Sequence, residues 1–293
     1  MPGSVETVTV TDMTTDLKEI LQLKLQTIAG RPYNETEPII TEILTLMSAS
    51  SCHSSLRQLG DDLPLSLLFD VAFSIPNPSQ QNCQYLELLT KLLSYTIPDI
   101  LVTRFYNELI RCLRHSHPEV KNVALSQLAR CSEDPSAATE MMSKTELLTC
   151  ITECLAIEDI NIAQNACTIL KNLGKDIQVL CVLISQPVMD AINGVIQQGD
   201  IPRFRMLELL VILACSSYEA LLIISRSAFL DVLLNELNGT DILVKLNCLE
   251  LLSQLVETKH GLLYLEEMGV LLKMKNILLN QAEDPLGDFL TPG

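Results

Sequence analysis

One period, a step of about 41 in residue number, recurs along this 293-residue chain and sharply limits the folds open to it. The dipeptide Asp-Ile stands at Asp159-Ile160, Asp200-Ile201 and Asp241-Ile242, and His117 heads a similar segment one such step before Asp159. A second series, Leu147, Val188, Phe229 and Val270, keeps the same step. A fixed period of this length marks a stack of supersecondary units, none of which can bury its apolar face alone.

After each head comes an apolar stretch with helical spacing: Val120 to Cys131, Ile162 to Leu173, Phe204 to Cys215 and Val244 to Val256. Small residues recur at the equivalent places Ala124, Ala166 and Cys248, with Leu207 as the departure. Small side chains let helices approach closely. Each unit therefore reads as a helix of about three turns, a short helix and a further helix, punctuated by Glu133-Asp134-Pro135, Gly174 and Gly261. No alternating strand pattern occurs beyond the first ten residues. The expected fold is all-α, a right-handed α-solenoid of armadillo/HEAT-like repeats of about 41 residues each.

The register runs backwards, since Asn77-Pro78 lies one further period before His117 and precedes Tyr85-Leu86-Glu87-Leu88-Leu89. Glu37 to Met47 reads as the first helix of a more degenerate unit, and Asp16 to Ile28 as a capping helix, with Asp16 and Glu19 at capping-box spacing. Residues 1–15 are expected to be a disordered tail. Residues 16–293 are expected to be one repeat domain, with units starting near 37, 77, 117, 159, 200 and 241. Ala282-Glu283-Asp284-Pro285 occupies the place of a next head, yet no polar terminal cap follows, so further repeats are expected beyond Gly293.

Composition narrows function. Asp and Glu number 36 against 20 Lys and Arg, a net charge of −16. Nucleic-acid binding depends on basic side chains displacing phosphate counterions, and anionic membranes attract cations, so neither partner is expected. The longest apolar run, around Leu207 to Cys215, is half what a bilayer span needs. The ten cysteines fall mostly within apolar helical patterns (Cys112, Cys131, Cys167, Cys215, Cys248), which suits reduced core thiols. The expected setting is the cytoplasm, with the nucleus as a second compartment, and the sequons Asn34-Glu35-Thr36 and Asn238-Gly239-Thr240 unused.

Catalytic patterns are missing. Gly174-Lys175 lacks the rest of a phosphate-cradling loop. Cys112, His115, His117 and Cys131 are metal-ligand types, but their spacing fits no standard zinc arrangement, and no metal is expected. Cys150 and Cys154 share an apolar stripe and read as core. The carboxylate pairs Asp61-Asp62, Glu266-Glu267 and Glu283-Asp284 read as solvated turn residues. No cofactor and no catalysis are expected. The chain reads as a monomeric binding protein.

In armadillo repeats the helix after each head lines the inner wall. Equivalent positions there form three ladders: Asn122, Gln164 and Arg205; Ser126, Thr168, Leu209 and Glu250; Arg130, Asn172, Leu213 and Gln254. These are the candidate partner-binding residues. Carriers of extended basic peptides present Trp on the second ladder and Asn on the third, whereas this chain has no Trp and only Asn172 at the third. A mixed polar and aliphatic surface suits a folded partner, and the negative charge favours one with a basic face.

Residues His117-Pro118-Glu119-Val120-Lys121, Leu125-Ser126-Gln127-Leu128, Glu146-Leu147-Leu148, Ile201 to Arg205, Glu208-Leu209-Leu210, His260-Gly261, Tyr264-Leu265 and Gly269-Val270 resemble the family of chaperones that assemble the base of the 26S proteasome regulatory particle. The closing Asp284-Pro285, Phe289-Leu290 and Pro292-Gly293 resemble the middle of that family's longer chains. The resemblance covers about residues 63–293. It implies a non-catalytic chaperone whose partners are the C-terminal domains of base ATPase subunits, with a large non-ATPase base subunit as a further one. It also implies a steric mechanism, in which a covered ATPase domain cannot dock early on the core particle. The alternative is a cytoplasmic armadillo-type adaptor or transport scaffold with an unrelated client.

Overall fold

The computed structural model describes residues 10–31, 33–48, 63–74 and 83–281. Among them there are helices and no strands. The protein is an all-α solenoid, and its helices gather into two compact units, Met1–Met141 and Met142–Gly293, where the sequence suggested one uninterrupted array.

The first unit contains α1 (Val10–Ala29), α2 (Tyr33–Ser48), α3 (Ser66–Ser74), α4 (Cys83–Leu93), α5 (Pro98–Arg104), α6 (Tyr106–Leu113) and α7 (Pro118–Ser132). Helix α8 (Pro135–Met142) reaches the unit boundary. α1 starts before the expected capping helix, at Val10, so residues 10–15 belong to a helix and not to a tail. Asp16 lies inside that helix, six residues past its start at Val10. Residues 1–9, Asp61-Asp62, Asn77-Pro78 and 282–293 lie outside the described residues.

The second unit repeats one three-helix pattern. It runs α9 (Thr145–Glu153) and a 3-10 turn (Cys154–Ala156), then α10 (Ile160–Leu173), α11 (Ile177–Leu183) and α12 (Gln186–Gln197). Next come α13 (Asp200–Ala214), α14 (Tyr218–Ile224) and α15 (Phe229–Leu237), and finally α16 (Ile242–Val256), α17 (Lys259–Glu267) and α18 (Val270–Gln281). Helices pack on their equivalents one repeat away: α9 on α12, α10 on α13, α13 on α16, α11 on α14 and α14 on α17. That nearest-neighbour stacking builds the core. Leu147, Val188, Phe229 and Val270 are all buried, which explains why one apolar series keeps the repeat's step.

The repeated Asp-Ile heads do two different things. The Asp159 carboxylate accepts hydrogen bonds from the amides of Asn161 and Ile162, and Asp241 from those of Leu243 and Val244, so both cap the exposed N–H groups of a first turn. Asp200 caps nothing. Gly199, at φ 137° in the region that favours glycine, starts α13 one residue early, and Asp200 pairs instead with Arg203 at 3.1 Å.

Five of the described cysteines sit in this core, whereas Cys167 and Cys215 are half-buried and Cys181 is exposed. Cys112, Cys131, Cys150, Cys154 and Cys248 are buried, and burial pushes the thiol pKa of Cys112 and Cys248 up to about 12 and that of Cys131 up to about 11. Among the described residues no group of three His, Cys, Asp or Glu is placed to hold a metal ion. No single described helix is long and apolar enough to cross a membrane.

Candidate protein-binding surface

In the second unit the helices that follow the Asp-Ile heads at Asp200 and Asp241 form a groove. Between α13 and α16 lies an open groove of about 560 Å3. Its apolar lining comes from Ile201, Phe204, Leu243, Val244 and the buried floor residue Leu251. Its polar lining is Asp200, Glu208, Asp241, Glu250, Asn247 and Gln254, with Arg205 as the one cation. Ile201 and Leu243 are 68% and 72% exposed, although large aliphatic side chains at a helix start could have turned inwards.

Sequence position and geometry agree for part of the three ladders. Arg205, Glu250 and Gln254 come together in the groove. Gln164 and Thr168 are exposed on α10 but lie outside it, and Asn172 is half-buried, accepting from the Lys175 ammonium at 3.0 Å. On α7, in the first unit, Asn122 and Ser126 are half-buried, and the Ser126 hydroxyl donates to the Val123 carbonyl.

Leu209 and Leu213 require correction. Both are buried, 2% and 5% exposed, and line a small apolar cavity with Leu170, Val188 and Ile192. α13 is packed by α10, α12, α14 and α16, so this helix turns an additional face into the core. Its solvent-facing position is Glu208, one residue earlier than the ladder suggested.

The two ladder arginines are committed to backbone. Arg130 donates through Nη2 to the carbonyls of Leu93, at 3.2 Å, and Thr96, at 3.0 Å, which lie at and just beyond the end of α4. Arg205 donates through Nη1 to Leu155 at 3.3 Å and Ile157 at 2.7 Å, around the 3-10 turn that follows α9. Helix ends leave such carbonyls without intrahelical partners, and a guanidinium satisfies them with charge-assisted bonds. The groove is therefore more acidic towards a partner than its composition implies. Neither Glu208 nor Glu250 accepts a hydrogen bond or pairs with a cation among the described residues.

Sequence reasoning missed Ile201, Phe204, Leu243 and Val244 because the ladders began at the fifth residue after each head, and Glu208 and Asn247 because they fall between ladder positions. The available signal was an aliphatic residue within two places of the head, Ile201 after Asp200 and Leu243 after Asp241, too polar a neighbourhood for a core position.

The sequence profile of the family described as "Proteasome non-ATPase 26S subunit" matches residues 23–293. The chain belongs to that family. It is 31% identical over 238 residues to the mouse protein named 26S proteasome non-ATPase regulatory subunit 5, covering 81% of this chain and 47% of that one. The human protein of the same name is 31% identical over 240 residues, with 82% and 47% covered, and the Drosophila melanogaster one 28% over 275 residues, with 88% and 51%. The chain thus spans about half the length of the curated relatives it matches. Among solved structures, a designed armadillo repeat protein aligns at 12% identity over 80% of this chain and 99% of its own, with a TM-score of 0.46, a likeness too loose to add to what the helices themselves show.

Proposed function

We propose that the chain is a non-catalytic chaperone for assembly of the 26S proteasome regulatory particle base. It holds the C-terminal domain of an ATPase subunit and sterically blocks premature docking on the core particle. The observation that carries this reading is the match to regulatory subunit 5 over more than four-fifths of the chain. A helical-repeat surface with an acidic, part-apolar groove supports a partner presenting basic and aliphatic side chains together. A large non-ATPase base subunit is a second partner in this reading, and the cytoplasm and nucleus are the compartments.

The test is calorimetric titration of the purified chain with each isolated ATPase C-terminal domain, followed by a core-particle docking assay. One-to-one binding to at least one domain, with loss of its docking, is expected. Absence of binding to every domain by a folded chain, or unchanged docking by the bound domain, overturns the proposal.

A further inference from the structure

We infer that the groove between α13 and α16 is a docking site for a basic amphipathic helix displayed by a folded partner. The inference rests on the reading of the chain as a protein-binding scaffold, but not on which protein it holds.

Three features select this occupant. The first is charge. Glu208 on α13 and Glu250 on α16 contribute to one groove, each exposed and neither engaged by a cation among the described residues. The groove's only cation, Arg205, has its guanidinium on the carbonyls of Leu155 and Ile157. Lysines or arginines of a partner would meet two carboxylates that no described cation neutralises, an arrangement that opposite charge favours.

The second feature is the exposed aliphatic edge. Ile201 and Leu243 stand largely in solvent along the groove, and the half-buried Phe204 and Val244 line it with them. An apolar side chain between two basic ones on the partner would cover this edge while its neighbours reach the carboxylates. That spacing is what one face of an amphipathic helix supplies.

The third feature is the shortage of groups for a bare backbone. An extended peptide must find partners for its N–H and C=O groups. The groove offers only Asn247 and Gln254 as side-chain amides. A helix satisfies its own backbone and needs only side-chain contacts. From Leu243 to Gln254 the wall runs about 16 Å at 1.5 Å per residue, which matches about three turns of a docked helix.

The probe is a fluorescein-labelled synthetic helix of about four turns carrying Leu flanked by Lys on one face, titrated against the full 293-residue chain by anisotropy. The wild-type chain is expected to bind it. The Glu208→Lys/Glu250→Lys variant is expected to bind at least tenfold more weakly. The Glu153→Lys/Glu266→Lys variant changes net charge equally at exposed sites outside the groove and is expected to stay within twofold of wild type. Leu243→Ser, a substitution at a solvent-exposed position, is expected to weaken binding severalfold, and circular dichroism establishes that each variant keeps its helices. Equal weakening by the two charge variants would reduce the effect to bulk charge and overturn the proposal. So would an unaffected groove variant, no binding by wild type, or equally tight binding of a proline-interrupted peptide of the same composition. An ATPase domain that binds the groove variant as tightly as wild type would remove this docking mode from that complex while leaving the assembly reading intact.

Discussion

Arg130 and Arg205 show how a side chain proposed for recognition can also have a structural task. Both stand on helices that follow a repeat head, and each guanidinium is bonded to two carbonyls at the end of an earlier helical element. Arg130→Ala is expected to lower the urea midpoint by the equivalent of about 2 kcal/mol, because the Leu93 and Thr96 carbonyls lose a charged donor; an unchanged midpoint would contradict the clamp. Gly261 is constrained differently. A Cβ there would lie 2.1 Å from the Leu255 carbonyl oxygen, a backbone atom that cannot step aside. Gly261→Ala should therefore cost about 2 kcal/mol in the same measurement, by overpacking. The buried thiols set a pH limit. Those of Cys112, Cys131 and Cys248 are held above their ordinary value of 9.0, so the unfolded chain releases these protons first. Their contribution to stability is complete below about pH 9 and is lost as pH rises towards 11 to 12. Denaturant midpoints taken from pH 8 to pH 11 should fall, and serine at all three positions should flatten that part of the decline.

At the scale of the element, identical heads fold into different starts. Asp159→Ala and Asp241→Ala each remove a cap that accepts two amide hydrogen bonds and should cost about 1 kcal/mol. Asp200→Ala removes only an exposed pair with Arg203 and should cost less than half of that. Equal losses in thermal melts of the three variants would contradict the distinction. The helices after the heads were legible, because a three-turn apolar stripe leaves little choice. The stretches expected from Val120, Ile162 and Val244 became Pro118–Ser132, Ile160–Leu173 and Ile242–Val256. The start of α1 was not legible, since the largely polar run Thr11 to Thr15 carries no apolar stripe to announce a helix. The burial of Leu209 was hidden for another reason. Periodicity identifies an apolar face, but only the neighbours on both sides of α13 decide that it has two of them.

For the whole molecule, the repeat period carried the fold class, and the net charge of −16 is the reason a partner with a basic face is expected. The groove was legible only in fragments. Its residues come from helices one repeat apart, and its acidity towards a partner depends on where Arg205 sends its guanidinium, which no sequence pattern records. In the proposed reading the chain works by holding a partner, so the decisive observation is what it holds in a cell. The most direct measurement is affinity purification from lysate with this chain as bait, quantified by mass spectrometry against a charge-matched helical-repeat control. Proteasome ATPase subunits enriched without core-particle subunits is the result expected of an assembly chaperone. Core-particle subunits recovered in equal proportion, or no enrichment of any ATPase subunit over the control, would contradict it.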